Sequence, residues 1–260
     1  MGREVCRTVA AQPDLELVAA VDTRHVGAPL AGLVGPEVGG LQVTDQLGEL
    51  RTTGAEVAVD FTRIDAARMT LAFCADQGIH VVVGTSGFSE EELVQLARTF
   101  GGSDHASSNC IVAANFAIGA VLMMRFAELA APFFDGAEII ELHHDGKSDA
   151  PSGTALATAE RMASARSAAG ASEFPPDRTL TSVVHGARGA KGPAGVRLHS
   201  VRLPGLVAHQ EVILGAVGQT LSLRHDTTDR ASFMDGVILA VRSVAHRPGL
   251  TVGLEAVLGL

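Results

Sequence analysis

The sequence contains no tryptophan and no tyrosine, and it has few cysteines. Its three cysteines, Cys6, Cys74 and Cys110, are too scattered for a disulfide framework or a zinc site, so we expect reduced thiols and a cytoplasmic location. The net charge of −9 is spread without long runs of one sign. Because nucleic acids are bound by clustered Lys and Arg, nucleic acid is excluded as the main partner, whereas a small anionic ligand is not.

No segment is suited to crossing a membrane. The most apolar long stretch, residues 111–134, carries Asn115, Arg125 and Glu128, and a buried helix explains these polar residues better than a membrane span does. Charged residues also interrupt the first turns of the chain, which is unlike a signal peptide. We therefore expect no membrane partner.

Helix and strand patterns alternate in the first half of the chain. The helical patterns cover residues 2–11, 69–78 and 89–100, and the strand patterns cover 14–22, 54–62, 79–88 and 110–116. Ser89 begins a capping-box pattern ahead of Glu92, and Gly78 is placed to end a helix. Strands that alternate with helices predict an α/β fold with a parallel sheet, the arrangement of a Rossmann-like domain.

After Phe116 the pattern changes. One helix over about 117–131 precedes the strand AEIIELHH, and a second helix follows DAPSGTA. Four strand patterns come next, at residues 181–186, 195–203, 205–215 and 219–226, and they predict an α+β domain with a mixed sheet. The sequence thus predicts two domains: residues 1–116, with an amphipathic helix in 229–260 packing back on them, and residues 117–228.

The segment ELHHDGKSDAPSGTA, residues 141–155, is the strongest candidate site. His143 and His144 end a strand, and a turn then brings Lys147. PSGT opens a helix whose free backbone N–H groups favour an anion, and the hydroxyls of Ser152 and Thr154 can also donate. We therefore expect proton donors beside a carboxylate site, although a strand end, a polar turn and a plain helix cap would give the same letters.

Two other readings of these residues fail on spacing. His143, His144, Asp145 and Asp149 lack the i, i+4 spacing of helical zinc ligands, so we expect no metal site. The segment GTSGF has Phe88 where the serine-hydrolase motif requires its last glycine.

A second set of candidates lies at strand ends in the first half. Gly84 and the run 113–116 each follow a buried strand, at the edge where open α/β sheets bind ligands. Asp22 ends the second strand of a βαβ pattern, which is the position that binds a ribose 2′-OH. Arg24 and His25 are near enough to bind a 2′-phosphate, so the sequence allows either NAD or NADP as the cofactor. Taken alone, each of these residues also fits an ordinary turn.

The segment ELHHDGKSDAPSGTA resembles the E-x-H-H-x-x-K-x-D-A-P-S-G-T-A signature of the 4-hydroxy-tetrahydrodipicolinate reductase family, also called dihydrodipicolinate reductase. The resemblance continues in order through DFT, VVVGTSGF, AANFAIGAV, RLPGLVAHQEVILG, LSLRHD and SFMDGVILAVR. It implies an enzyme that reduces 4-hydroxy-tetrahydrodipicolinate to tetrahydrodipicolinate, with NADH or NADPH, on the diaminopimelate route to lysine. It also implies a dinucleotide-binding domain and a substrate domain whose sheet builds a homotetramer.

The resemblance also implies residue roles. His143 would be a proton donor or acceptor, and Lys147 the second proton donor, because hydride addition to an unsaturated ring leaves charge that an acid must quench. The residues implied for the substrate's carboxylates are His144, Ser152, Gly153 and Thr154. The residues implied for the cofactor are Gly2, Asp22, Gly84, Thr85, Ser86, Ala113, Ala114, Asn115 and Phe116, with Asp22 at the adenosine ribose.

The chain departs from the family pattern in three places. DFTRID lacks the usual proline, Ser86 replaces a threonine, and the opening MG matches only the end of the family's GAxGRMG loop. We expect the first strand and most of that loop, on the order of a dozen residues, to be missing from the Rossmann-like domain. Either the start codon is assigned at an internal methionine, or the chain is a truncated, cofactor-impaired homologue that acts as a binding or scaffold protein.

Overall fold

The computed structural model describes residues 1–101 and 108–260, which divide into two compact units. The first unit comprises Met1–Ile118 and Arg230–Leu260, and the second unit comprises Gly119–Asp229. The C-terminal segment therefore folds with the N-terminal one. The assignment of the units as cofactor domain and substrate domain stays a prediction.

Helices and strands alternate in the first unit, whereas most strands of the second unit follow one another. The strands are β1 (Ala20–Val21), β2 (Val43–Thr44), β3 (Val57–Asp60), β4 (His80–Val83), β5 (Cys110–Val112), β6 (Gly136–His143), β7 (Ala190–Lys191), β8 (Arg197–Arg202), β9 (Ala208–Ala216), β10 (Gln219–Thr227) and β11 (Leu250–Val252). The α-helices are α1 (Gly2–Ala10), α2 (Ala31–Val34), α3 (Gly48–Thr52), α4 (Ile64–Gln77), α5 (Glu90–Gly101), α6 (Ile118–Ala130), α7 (Gly153–Ala168), α8 (Met234–Val244) and α9 (Glu255–Leu258).

The described residues of the first unit form two parallel sheets. One has the strand order β11-β5-β4-β3, and the other is the pair β1-β2. Val81, Val82 and Val83 of β4 are fully buried, as expected of a central parallel strand covered on both faces. The predicted parallel α/β architecture is confirmed, and β11, which pairs with β5, was not predicted.

Local sequence signals account for the helix ends of this unit. The predicted capping box is confirmed, because the Ser89 amide donates to Glu92 and the Glu92 amide donates to the Ser89 hydroxyl. Gly78 ends α4 in the left-handed conformation, at φ 72°. Within the described residues, no helix is both long and apolar enough to cross a membrane.

Several predicted strands are longer than the observed ones, and one does not form. Strands β3, β4 and β5 cover only parts of the patterns over 54–62, 79–88 and 110–116. The strand predicted over 14–22 is reduced to Ala20–Val21, because β2 offers only Val43 and Thr44 as ladder partners. The strand predicted over 181–186 does not form. Val183 and Val184 are exposed there, so these apolar side chains face solvent instead of packing in a core.

The second unit is built on a mixed sheet with the strand order β10-β9-β6-β8-β7. Strand β6 runs parallel to β8 and antiparallel to β9, which confirms the predicted mixed sheet. Burial alternates along β6, with Ala137, Ile139 and Glu141 buried and their neighbours half-exposed. Because His143 follows this alternation, it lies on the same face of the sheet as Glu141.

Candidate active site

The site of the second unit is formed where two parallel strands end and a helix begins. Strand β6 ends at His143, and Arg202 at the end of β8 is in register with it. Residues 144–152 then lead to the start of α7 at Gly153. The strand therefore ends where His143 and His144 could both approach one pocket, and His144 is exposed just beyond it.

A buried carboxylate organises these elements. The side chain of Glu141 accepts hydrogen bonds from both terminal nitrogens of Arg202, at 2.8 and 3.0 Å, and from the backbone amide of Ser152 at 3.3 Å. Its second oxygen lies 2.5 Å from Nδ1 of His143. Burial raises the pKa of Glu141, but hydrogen bonds from Arg202, Ser200 and His143 outweigh it and hold the pKa below its usual value. The carboxylate is therefore an anion.

The imidazole of His143 is held in one tautomer by this carboxylate. An ionised carboxylate can only accept, so Nδ1 carries the proton and Nε2 is an acceptor in the neutral ring. Burial lowers the pKa of His143; Glu141 raises it, and the charges of Lys147 and Arg202 lower it further. The net pKa is below the ordinary value of about 6.5, so the ring is mostly neutral at neutral pH.

Lys147 is held beside the strand end by Asp149. Its ammonium lies 2.7 and 2.9 Å from the two carboxylate oxygens, and the hydrogen bond from Lys147 lowers the pKa of Asp149. The backbone carbonyl of Asp149 accepts from Arg202 at 2.6 Å. Consequently His143 and Lys147 are joined through one chain of contacts that runs over Glu141, Arg202 and Asp149.

The start of α7 has the form that the sequence predicts. Ser152 is the N-cap, and its hydroxyl oxygen accepts from the Ala155 amide at 3.2 Å, which does not use the hydroxyl proton. At Gly153, a Cβ atom would have no heavy atom within 4 Å, so there is open space at this backbone position. Thr154 is half-buried in the first turn of α7, so its hydroxyl lies at the same helix end as Ser152 and Gly153.

Three residues of this cluster, Glu141, Arg202 and Asp149, are not predicted from the sequence to have a role. Glu141 could have been found, because a residue two positions before His143 on a strand shares its face. Arg202 ends an apolar strand pattern, but its pairing with β6 depends on sheet topology, which the letters do not give.

In the first unit, several predicted cofactor residues follow two neighbouring strands. Gly84 follows β4 and Ala113 follows β5, and the last residues of these strands, Val83 and Val112, are in register. A Cβ at Gly84 would stand 2.0 Å from the Phe61 ring, so the position requires glycine. The predicted candidates on these two segments, in chain order, are Gly84, Thr85, Ser86, Ala113, Ala114, Asn115 and Phe116.

These candidates differ in accessibility. Ser86 and Ala114 are exposed, whereas Ala113 and Phe116 are buried and can present only their backbone. The hydroxyl of buried Thr85 lies 3.1 Å from the carboxylate of Asp60, and Asn115 accepts from the Ala117 amide at 2.9 Å. The segments after β4 and β5 therefore offer backbone groups and small side chains.

Gly2 and Asp22 lie elsewhere in the unit. Gly2 is the first residue of α1, and Asp22 follows β1, which pairs with β2 in the separate sheet. The exposed carboxylate of Asp22 accepts from the Arg24 amide at 2.7 Å. The structure thus groups Gly84–Ser86 with Ala113–Phe116, but does not join Asp22 to them through one sheet.

Comparison with known proteins identifies the family. The family model described as dihydrodipicolinate reductase, N-terminus, matches residues 1–116, and the model of its C-terminus matches residues 119–258. This chain belongs to the dihydrodipicolinate reductase family. The resemblance inferred from the sequence is therefore confirmed, and the chain is an oxidoreductase of a family that uses nicotinamide cofactors.

Individual relatives agree with this assignment. The chain is 50% identical to the 4-hydroxy-tetrahydrodipicolinate reductase of Cutibacterium acnes and 48% identical to that of Nocardia farcinica, in each case over 100% of this chain and 95% of the relative. A solved structure, the dipicolinate-bound dihydrodipicolinate reductase from Paenisporosarcina sp. TG-14, superposes with a TM-score of 0.83 at 40% identity. The match covers 98% of this chain and 94% of that one.

Proposed function

We propose that this chain reduces 4-hydroxy-tetrahydrodipicolinate to tetrahydrodipicolinate with NADH or NADPH, in the diaminopimelate route to lysine, as a cytoplasmic enzyme. Family membership over the whole chain supports the reaction. The observation that carries the site assignment is the contact chain from His143 through Glu141, Arg202 and Asp149 to Lys147. It brings two candidate proton-transfer groups to a helix start that favours an anion.

The substrate is a small dicarboxylate, and the start of α7 suits one of its carboxylates. Backbone N–H groups of the first turn point out of the helix end, and the open space at Gly153 allows a ligand to approach them closely. The hydroxyls of Ser152 and Thr154 add donors, and exposed His144 is a further donor beside the strand end. We assign these four residues to substrate binding.

The two proton-transfer groups differ in their partners. Lys147 is a cation that is ion-paired with Asp149, so it can donate a proton from Nζ. His143 is mostly neutral and presents Nε2 as an acceptor, so it can take up a proton and return it. We therefore assign proton donation to Lys147 and proton exchange to His143.

The residues of the first unit fit a nicotinamide dinucleotide. The small and backbone groups that follow β4 and β5 at one sheet edge allow close approach of a planar ring, and Asp22 is an exposed carboxylate suited to a ribose hydroxyl. Exposed Arg24 and His25 beside it suit a 2′-phosphate, which supports use of either cofactor. When bound, the nicotinamide supplies the hydride. Gly2, at the start of α1, is assigned to the same ligand.

We also propose that the enzyme is a homotetramer that associates through the second unit. The face of the mixed sheet opposite Glu141 carries apolar side chains that are only half-buried, among them Ile140, Leu142 and Ile213. Such a face is suited to a symmetric contact with another copy. Light scattering during size-exclusion chromatography should give four chains per particle; a monomer would contradict this assignment.

An activity assay of the purified chain tests the proposed reaction. Oxidation of NADH or NADPH should depend on added 4-hydroxy-tetrahydrodipicolinate. Lys147→Ala should lower kcat by about 10²–10⁴-fold, the usual contribution of a general acid. Lys191→Ala is the matched control, because Lys191 is the one other lysine in the sequence and is exposed on β7. Failure of the wild-type chain to oxidise either cofactor with this substrate would contradict the proposal.

A further inference from the structure

We propose that Glu141 is a positioning residue for His143. Its buried carboxylate fixes the tautomer in which Nδ1 is protonated, which leaves Nε2 as the ring nitrogen that exchanges protons with substrate. Through Arg202 and the Ser152 amide, the same carboxylate holds the imidazole in register with the start of α7. This inference rests on the proposed function, in which His143 acts on the substrate, and adds a residue to it.

The geometry makes Glu141 the common acceptor of three elements. Donors reach it from its own strand at His143, from β8 at Arg202 and from the segment before α7 at Ser152. The side chain is fully buried. An ionised carboxylate has about four lone-pair positions, and these donors make four hydrogen bonds to it. Rotation of the carboxylate away from His143 would therefore break several other hydrogen bonds.

Neutralising Arg202 does not by itself explain this arrangement. A bidentate Arg–carboxylate pair is satisfied without a histidine, and a buried ion pair often gives no more stability than apolar residues of the same volume. Here the carboxylate oxygen that binds Arg202 also faces Nδ1 of a histidine at the strand end. The extra contact sets the protonation pattern of that histidine, which packing alone would not require.

The charged groups around His143 define how its titration responds. Glu141 lies on its own strand, Arg202 on β8, and Lys147 with Asp149 in the following turn; its partner on β9 is the uncharged Ala208. Among the described groups that act on His143, Glu141 favours the protonated ring, whereas Lys147 and Arg202 oppose it. Removal of the Glu141 charge must therefore make His143 harder to protonate.

The first measurement uses the wild-type protein. Nitrogen-15 NMR of histidine-labelled protein, with the His143 signals assigned by their loss in His143→Gln, should show Nδ1 protonated and Nε2 unprotonated at neutral pH. A ring protonated at Nε2 instead would overturn the inference, whatever any variant does. This readout needs no substrate and no turnover.

The second measurement compares Glu141→Gln with Glu138→Gln. Glu138 lies on the opposite face of β6 and also bonds a histidine and an arginine, His199 and Arg188, so it is a matched carboxylate. In Glu141→Gln, the amide oxygen should accept from Arg202 and the amide NH₂ should turn toward Nδ1 of His143. The population of the Nε2-protonated tautomer should therefore increase. We expect kcat to fall roughly 10–100-fold with a smaller change in KM, by analogy with the loss on removing a carboxylate partner that orients a metal-bound histidine. The acid limb of the kcat profile should move to lower pH, whereas Glu138→Gln should leave the His143 tautomer and the position of that limb unchanged.

The outcomes separate this inference from the proposed function. If His143→Gln is inactive while Glu141→Gln keeps the wild-type tautomer, pH profile and kcat, the reaction stands and the positioning role is wrong. If His143→Gln keeps its kcat, the proposed role of His143 fails even though the tautomer is as described. Should Glu141→Gln not fold, the wild-type NMR measurement still decides.

Discussion

Among the residues that the structure describes, one carboxylate is buried at or near a strand end in each unit, and the two are satisfied in different ways. Asp60 ends β3 and accepts from the amide and hydroxyl of Thr62, at 2.8 and 2.7 Å, and from the hydroxyl of Thr85 at 3.1 Å. Glu141 near the end of β6 accepts from an arginine and a histidine instead. The donors of Asp60 are neutral, whereas the strongest donor of Glu141 is a cation.

This difference suits two roles: Asp60 stabilises a loop, whereas Glu141 positions side chains of the proposed active site. The bonds of Asp60 join the segments after β3 and β4, which fixes the backbone around Gly84 and its neighbours. Those of Glu141 join two strand ends and a helix start, and one of them comes from the imidazole of His143, which can move a proton. We infer that the first unit offers its ligand mainly backbone, and the second unit mainly side-chain chemistry.

The largest effect on activity should come from His143, the donor to Glu141 that is proposed to exchange protons with the substrate. His143→Gln should lower kcat by about 10²–10⁴-fold while the fold is kept, because Gln cannot exchange protons near neutral pH. Steady-state kinetics at saturating substrate measures this. His185→Gln, in the exposed segment 181–186, is the control and should keep wild-type kcat. Near-normal kcat in His143→Gln would contradict the assignment.

The next largest effect should be on stability, where removing a donor to Glu141 should cost more free energy of unfolding than removing a donor to Asp60. Arg202→Met should lower the free energy of unfolding by about 3–5 kcal/mol, because it leaves a buried charge without its cation. Thr85→Val should cost less, about 1.5–3 kcal/mol, because it removes one hydrogen bond to a carboxylate that keeps its other donors. Denaturant titration followed by circular dichroism measures both. Equal losses would remove the distinction between the two sites.

Stability against pH sharpens the same contrast. The pKa of Glu141 is lowered in the native chain, so its stabilising contribution is present above the unfolded pKa and is lost as the pH falls through the folded pKa. In Arg202→Met, burial instead raises the pKa, and protonation relieves the buried charge. The stability gap between variant and wild type should therefore narrow as the pH falls from 7 toward about 5. A gap that stays constant over this range would argue against an ionised Glu141.

The part of the site that is local in sequence could be predicted, whereas the part that depends on strand pairing could not. His143, Lys147 and the helix start at Gly153 are close in sequence, so local rules for strands, turns and caps could place them. Arg202 is 61 positions from Glu141, and their contact depends on β8 pairing with β6, which sheet topology decides. The strand wrongly predicted over 181–186 has suitable letters but no partner, because strand formation depends on pairing as well as on composition.

A smaller effect is expected where the backbone of the first unit is tightly packed. Gly84→Ala places a Cβ against the ring of Phe61, and overpacking of this kind typically costs about 1–3 kcal/mol. It should also weaken cofactor binding, because the segment after β4 must shift. Gly48→Ala is the control, since a Cβ there meets nothing within 4 Å. Thermal unfolding and calorimetric titration with each cofactor measure the two effects; an unchanged midpoint and an unchanged Kd in Gly84→Ala would show that this backbone is not constrained.

The most local effect should come from one hydroxyl at the start of α7, because it concerns substrate affinity alone. Thr154→Val keeps the shape and β-branching of the side chain and removes one donor to the substrate carboxylate. A hydrogen bond to a charged group is worth about 1.5–3 kcal/mol, so KM for the dicarboxylate should rise roughly tenfold or more. The backbone carbonyl of Thr154 still accepts from Thr158, so the helix itself is unaffected. Because the residue belongs to the second unit, the cofactor Kd should not change; a variant that weakens only the cofactor would place the wrong ligand at this helix and reverse the comparison between the units.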